Sequence, residues 1–120
     1  MEEVRPAPVK PAIGFDVLDR IDIRVGTIED VQDVKGSDKL IRMRVNFGDH
    51  TRTIFSGMKK ERKDCRELVG TQTLFVVNLE PKKMMGEVSE GMIFDIGYAD
   101  GILPALPVPE RPVPNGARLG

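Results

Sequence analysis

Hydrophobic and polar residues alternate with a period of two along much of the first half of the chain. From Asp22 to Val31 the apolar positions are rich in β-branched residues, which predicts a first strand, bent at Gly26. The same alternation predicts a second strand over 40–47 and a third over 51–55, with glycine and aspartate turn residues before each. These segments indicate consecutive antiparallel strands.

Two segments depart from this alternation. Residues 15–21 have the spacing of a short amphipathic turn or helix, with aspartates between the apolar positions. Residues 58–69, MKKERKDCRELV, predict a short helix in which charged residues surround Met58, Cys65 and Leu68, and Gly70 stands where the helix would end.

The second half adds two strands and an extended tail. Residues 71–79 form a β-rich apolar run, and 91–99 predict another strand bounded by glycines. The tail, 101–120, carries many prolines and predicts only short extended pieces. Five strands with a helix between the third and fourth predict an all-β fold, a five-stranded OB-fold barrel with an extended C-terminal segment. The alternative, an SH3-like barrel, does not account for that helix.

The domain organisation predicted from these patterns is simple. Residues 1–14 are rich in proline and predict a flexible N-terminal arm, and 15–120 form one domain. No apolar run approaches the ~20 residues of a membrane-spanning helix, and the N-terminus lacks the apolar segment of a signal peptide. We therefore expect a cytoplasmic protein without a membrane role.

Composition excludes several kinds of site. The chain has 120 residues with one cysteine and one histidine, so it cannot form an intrachain disulfide or supply a usual zinc ligand set. Cys65 lies in a charged run with no motif linking it to His50, and we interpret it as a residue turned partly inward. We expect neither a cofactor nor an enzymatic activity. The net charge of −1 argues against indiscriminate binding of nucleic acid but permits a local basic site.

The stretch NLEPKKMMGEVSEGM, residues 78–92, is the candidate for such a site. In a barrel of this strand order it joins strands four and five, at the rim of the surface on which OB-folds hold nucleic acid. Lys82 and Lys83 could neutralise phosphates, Met84 and Met85 could lie against a base or ribose, and Gly86 would let the backbone come close. The alternative is that the methionines plug the barrel mouth and the lysines form a solvated turn.

This stretch closely resembles the signature of the tRNA-binding domain family, Asn-Leu-x-Pro-x-Lys-Leu-Met-Gly followed by Ser-x-Gly-Met. Met84 replaces the usual leucine. Five further segments resemble the family in the same order, and together they extend the resemblance over residues 15–120: DIRVGTI at 22–28, SDKLIRMRVNFGD at 37–49, FSGM at 55–58, ELVG at 67–70 and VPNGARLG at 113–120.

The resemblance implies a non-catalytic protein that recognises tRNA mainly by shape and backbone through the strand 4–5 loop. Lysine and arginine side chains would contact phosphates, Asn78 and Ser89 would hydrogen-bond, and methionines would contact bases. The residues expected to contact RNA are Asn78, Lys82, Lys83, Met84, Met85, Ser89, Met92, Lys39 and Arg42.

The resemblance also implies partners. They are tRNA, a second copy of the chain in a homodimer, and methionyl-tRNA synthetase. The alternative function is that of the CsaA-type export chaperones, which bind unfolded polypeptide, because the tail at 110–120 is similar to that branch. The tail is apolar enough to lie across a partner's barrel, or to fold back over its own.

Overall fold

A curled antiparallel sheet of five strands and a separate two-stranded hairpin make up most of the regular structure. The computed structural model describes residues 5–120. The strands are β1 (Ile23–Asp33), β2 (Ile41–Asn46), β3 (Thr51–Ser56), β4 (Gln72–Val76), β5 (Lys82–Met84), β6 (Glu87–Ser89) and β7 (Met92–Ile93). The helices are α1 (Phe15–Leu18) and three 3-10 helices, Lys59–Glu61, Cys65–Leu68 and Tyr98–Asp100.

The strand order in the large sheet is β3-β2-β1-β4-β7, with every neighbouring pair antiparallel. The long strand β1 pairs with both β2 and β4, which lets the sheet curl around its own core. The segment before β7 then approaches β3, where the Glu90 amide donates to the Thr53 carbonyl at 2.9 Å. This arrangement confirms the predicted all-β, OB-type fold.

The irregularity in β1 lies after the predicted position. The register against β2 shifts between Ile28 and Asp30, so Glu29 is the additional residue of a bulge. Gly26 instead allows close packing: a Cβ atom there would lie 2.6 Å from Val45 Cγ1 and 2.9 Å from Phe47 Cε1. The glycine is needed for space and not for a bend.

The core lies on the concave side of the curled sheet. Alternate residues of β2 are buried, as the sequence pattern predicts, and Phe75 of β4 packs edge-to-face on Phe47 with ring centroids 5.4 Å apart. The 3-10 segment contributes Cys65 and Leu68 from one end of the barrel. The buried cluster is Ile28, Val31, Ile41, Met43, Val45, Phe47, Ile54, Met58, Cys65, Leu68, Phe75 and Ile93.

The predicted helix over 58–69 is not continuous. It is divided into two 3-10 helices, because Arg62 (φ −137°) and Asp64 (φ −146°) are extended. The Asp64 carboxylate accepts a hydrogen bond from the Arg66 amide and so begins the second helix. The charge-rich KKERKD run therefore turns between two short helices.

The predicted strand over 91–99 is also shorter than expected. Only Met92 and Ile93 pair with β4, and the chain then turns at Gly97, which has φ +101°. Ile96 makes an isolated bridge with Ala105, so this region is held by the following segment and not by the sheet.

The C-terminal tail runs over its own barrel. The Val25 amide donates to the Ala117 carbonyl at 2.9 Å, and the Gly116 amide donates to Val25 at 2.8 Å. Leu106 packs against the core cluster. In the single chain described, the tail therefore contacts its own barrel, and some of its apolar side chains remain exposed: Ile102, Leu103, Val108 and Leu119.

The predicted N-terminal arm, 1–14, lies partly outside the described residues, which begin at Arg5. Residues 5–14 have no regular secondary structure and are exposed. The Ala7 amide donates to the Asp100 carboxylate at 2.7 Å. The helix predicted next, α1, forms over four residues, and none of them is buried.

Candidate nucleic-acid interface

A β-hairpin occupies the segment predicted as the strand 4–5 loop. Strands β5 and β6 pair over three residues each and are joined by a two-residue turn, Met85-Gly86. Both turn residues have positive φ, +49° for Met85 and +81° for Gly86, the pattern of a type I′ hairpin turn. Met85 is the only residue other than glycine with positive φ in the described part of the chain.

The hairpin presents its two lysines on opposite faces. The pairs Lys82–Ser89 and Met84–Glu87 belong to one face, and Lys83–Val88 belongs to the other. Lys82 and Met84 line a cleft between the hairpin and the barrel, whereas Lys83 does not. Adjacent lysines that look equivalent in the sequence therefore have different surroundings.

The cleft beneath the hairpin has a volume of about 610 Å³. Its walls are largely apolar, and both Leu79 (50% exposed) and Met92 (42% exposed) remain open to solvent. The lining residues are Phe55, Asn78, Leu79, Glu80, Lys82, Met84, Ser89, Gly91 and Met92. An open apolar cleft beside a cation is suited to a ligand with a flat apolar face and a negative group.

Three of the predicted cationic residues have no carboxylate partner. Lys82, Lys83 and Lys39 are exposed, and none of them takes part in an ion pair within residues 5–120. Arg42 differs, because its Nη1 donates to Glu87 Oε1 at 2.8 Å and its Nη2 donates to Gln32. The lysines can thus donate to phosphates without losing an ion pair, whereas the charge of Arg42 is partly neutralised by Glu87.

Asn78 has a structural role. Its Oδ1 accepts from the Asp22 amide at 2.8 Å, and its Nδ2 donates to the Arg20 carbonyl at 2.6 Å. The side-chain amide thereby fixes the chain entering β1 against the segment after β4. One N–H of Nδ2 and one lone pair of Oδ1 are not used by these bonds, and Asn78 borders the cleft.

Ser89 is likewise engaged within the protein. It is only 4% exposed; its Oγ accepts from the Phe55 amide at 3.0 Å and donates to the Gly91 carbonyl at 3.2 Å. The hydroxyl joins the base of the hairpin to β3, and the same residue borders the cleft. Asn78 and Ser89 thus help to fix the cleft wall, and their contact with RNA stays a prediction.

The remaining predicted residue of the hairpin, Met85, lies over the turn between β1 and β2. A Cβ atom at Gly36 would be 3.4 Å from the Met85 methyl carbon. The tip of the hairpin also borders Val34, Lys35 and Arg42. The Met85 contact and the Arg42–Glu87 pair hold the hairpin against the barrel.

Sequence reasoning missed two acidic residues of this region. It assigned no role to Glu87, but Glu87 pairs with Arg42 across 45 residues of chain. It gave Glu80 no role, yet Glu80 lines the cleft. The segments 82–84 and 87–89 are too short to show the alternation that would have indicated that Met84 and Glu87 share a face.

Other chemistry is limited in the described part of the chain. Burial raises the pKa of the Cys65 thiol, which is buried as predicted, so little thiolate forms there at neutral pH. Within residues 5–120, no group of three or more histidine, cysteine, aspartate or glutamate side chains could hold a metal ion. No helix in that range is long and apolar enough to cross a membrane.

Comparisons with known proteins agree with this geometry. A sequence model of the family described as "Putative tRNA binding domain" matches residues 23–118. The methionine–tRNA ligase of Bacteroides fragilis is 43% identical over 112 residues, which are 93% of this chain. The chain spans only 16% of that ligase's length.

Two solved structures are similar along nearly the whole chain. A MetRS-related protein from Pyrococcus horikoshii superposes with a TM-score of 0.84 at 33% identity, covering 92% of this chain and 100% of its own. A CsaA chaperone from Picrophilus torridus superposes with a TM-score of 0.77 at 28% identity, covering 91% of this chain and 100% of its own. The family match spans most of the barrel and all of the hairpin, and the chain therefore belongs to the tRNA-binding domain family.

Proposed function

We propose that this protein binds tRNA, without catalysing a reaction, through the β5–β6 hairpin and the adjoining β1–β2 turn. The observation that carries the proposal is that Lys82, Lys83 and Lys39 are exposed and have no carboxylate partner within residues 5–120, and that Lys82 borders an open apolar cleft. Unpaired ammonium groups bind phosphates without first losing an internal ion pair.

The charge distribution favours recognition of shape and backbone over sequence. A-form RNA hides its base edges in a deep, narrow groove, so a folded RNA presents mainly phosphates, 2′-hydroxyls and unpaired bases. The overall charge is −1, and the site has only a few lysines. The slope of log affinity against log salt concentration should therefore correspond to the release of only a few counterions. Such a surface should bind different tRNAs with similar affinity.

Lys83→Ala tests this assignment. Loss of one phosphate contact should weaken the binding of unrelated tRNAs about equally and reduce the slope of log affinity against log salt by about one. Filter binding at several salt concentrations measures both quantities. Lys63→Ala, which removes the same charge from an exposed lysine in another loop, is the matched control. Unchanged tRNA binding by Lys83→Ala would refute the site.

A second candidate function is the binding of unfolded polypeptide, and the apolar cleft favours it. Leu79, Met84 and Met92 could hold apolar side chains of an extended client. The similarity to the CsaA chaperone of Picrophilus torridus supports this alternative. Competition separates the two functions: a polypeptide binder keeps an unfolded client in excess tRNA, and a tRNA binder does not.

A homodimer is the proposed assembly. Exposed apolar side chains of α1 and the adjoining chain ends give the motive: Phe15 is 83% exposed, and Leu18 and Leu119 border a surface groove. Light scattering of the full chain should give twice the monomer mass, and Phe15→Ser with Leu18→Ser should reduce it. A monomer at micromolar concentration would overturn this proposal.

The proposed partner proteins follow from the family. The identity with part of a methionine–tRNA ligase supports methionyl-tRNA synthetase as a partner, and tRNA binding would place the protein in the cytoplasm. Co-purification with the synthetase from cells, with and without ribonuclease, would distinguish a direct contact from one bridged by tRNA.

A further inference from the structure

We propose that the cleft beneath the hairpin receives one unpaired RNA base, with guanine preferred because of Glu80. This inference rests on the proposed tRNA binding and adds the chemical class of the group that enters the site. It distinguishes the cleft from the outer face of the hairpin, where only the backbone of the RNA would be in contact.

The shape and lining of the cleft suit a base. Its volume of about 610 Å³ lies within the range of small-molecule pockets, roughly 300–1,000 Å³. Met84, Met92 and Leu79 supply polarisable and apolar surface, which can lie against either face of a flat ring. A paired base is stacked within its helix and cannot enter, so the occupant must be unpaired.

Two charged residues of the cleft, Lys82 and Glu80, are suited to different parts of a nucleotide. Lys82 reaches the cleft and has no carboxylate partner within residues 5–120, so it can hold the phosphate attached to the entering nucleotide. Glu80 is exposed on the wall of the same cleft, and its carboxylate would repel a phosphate placed next to it. The acidic side chain therefore favours the N–H groups of a base at that wall.

Glu80 also gives a basis for selecting guanine. A carboxylate only accepts hydrogen bonds, and guanine alone among the four bases offers two adjacent donors, N1–H and N2–H, on its Watson–Crick edge. The other three bases offer one N–H site on that edge. Within residues 5–120 the Glu80 carboxylate has no ion-pair partner, so it is available for such a bidentate contact.

NMR of methyl-labelled methionine provides the direct test, using short single-stranded RNAs of sequence UGU, UAU, UCU and UUU. A base in the cleft should shift the methyl signals of Met84 and Met92 through its ring current. The buried core residues Met43 and Met58 are internal controls whose signals should stay in place. We expect UGU to bind about tenfold more tightly than the others.

Glu80→Gln is the matched variant. It keeps the size of the side chain but loses one of the two acceptor oxygens, so the preference for UGU should disappear while the weaker binding of the other RNAs remains. Met84→Ala should lower the affinity for all four RNAs. Equal affinities for all four RNAs in the parent protein, or an undiminished preference in Glu80→Gln, would refute the guanine assignment.

Filter binding with tRNA, run in parallel, separates this inference from the proposed function. If tRNA binds in a Lys83-dependent manner but no RNA shifts Met84 or Met92, the cleft inference is wrong and the proposed function stands. If neither tRNA nor the short RNAs bind, both are wrong. If an unfolded polypeptide shifts these methyl groups and RNA does not, the cleft belongs to polypeptide binding.

Discussion

Met85 carries the clearest sign of local strain among the residues of the interface. A left-handed conformation is costly for any side chain that is not glycine, asparagine or aspartate, yet Met85 adopts φ +49° at the first position of the hairpin turn. Asparagine followed by glycine is the favoured pair for such a turn. Strained residues of this kind are concentrated at functional sites, and the proposed contact of Met85 with RNA would account for a methionine at this position.

Met85→Asn should therefore separate stability from binding. The substitution should raise the free energy of unfolding by about 0.5 to 1 kcal/mol, because asparagine tolerates the left-handed region. It should weaken tRNA binding, because the thioether is lost. Urea denaturation and filter binding measure the two effects. A variant that is no more stable than the parent would show that the Met85 contact over Gly36 outweighs the strain.

Glu61 is a second residue whose environment has a measurable consequence. Burial and the nearby Asp95 raise the pKa of its carboxyl group, and its Oε1 is buried without a hydrogen-bond partner. The folded state then binds a proton more readily than the unfolded state does. As the pH rises through the unfolded value and then the folded one, the free energy of unfolding should fall.

Glu61→Gln should remove this pH dependence. The variant should be more stable than the parent at pH 7, where the parent must keep a buried carboxylate ionised, and should lose that advantage near pH 4. Urea midpoints at the two pH values give the comparison. A variant that is less stable than the parent at pH 7 would mean that the ion pair with Arg62, at 4.0 Å, outweighs the cost of burial.

At the scale of the elements, the hairpin is held to the sheet by the Arg42–Glu87 ion pair. Arg42 is predicted to contact phosphate, and Glu87 competes with a phosphate for its guanidinium group. Glu87→Gln should release the guanidinium, tighten tRNA binding and steepen the salt dependence by about one counterion. The same filter-binding titrations measure this effect.

Glu110→Gln is the control for that prediction. It makes the same charge change and also removes the carboxylate partner of an exposed arginine, Arg111, in the C-terminal tail. Equal tightening by both variants would assign the effect to net charge and not to Arg42.

The C-terminal tail is tied to β1 by charge as well as by backbone pairing. Asp22 accepts hydrogen bonds from Arg24 and from Arg118, which lower the pKa of its carboxyl group from 3.8 to about 2. Because the folded pKa is depressed, this stabilisation is present above about pH 4 and is lost as the pH falls toward 2.

Asp22→Asn should therefore flatten acid unfolding in that range. The parent should lose stability between pH 4 and pH 2 more steeply than the variant, and Arg118→Ala should be intermediate because Arg24 remains. Circular dichroism during acid titration measures the difference. Identical profiles for all three proteins would show that the tail is held by backbone pairing alone.

At the scale of the whole molecule, the sequence predicts the barrel better than the surface. Apolar and polar residues alternate regularly in β2 because one side of that strand is buried. Every second residue faces the core and must be apolar, so the sequence itself shows the strand. The prediction of a continuous helix over 58–69 was wrong. The charged residues of this segment show no periodicity that would distinguish one helix from two short 3-10 helices. Contacts that span many residues have no local signature.

The candidate site shows the same division. Its location and its lysines follow from the motif, but the separate roles of Asn78 and Ser89 depend on partners far away in the chain, Asp22 and Phe55. The hairpin itself was not predicted, because three-residue strands are too short for a periodic pattern and methionine is not a usual turn residue. Polar residues of the motif therefore also hold the hairpin region to the rest of the barrel.

The opposed directions of Lys82 and Lys83 have a consequence for which nucleic acids can engage both. The hairpin lies against the barrel, with Lys82 on the side of the cleft and Lys83 on the opposite side. The backbone of a straight A-form duplex would follow one side of the hairpin and meet only one of the two lysines. A bound RNA would have to bend around the hairpin to reach both lysines, so engagement of both should depend on the curvature of the RNA chain.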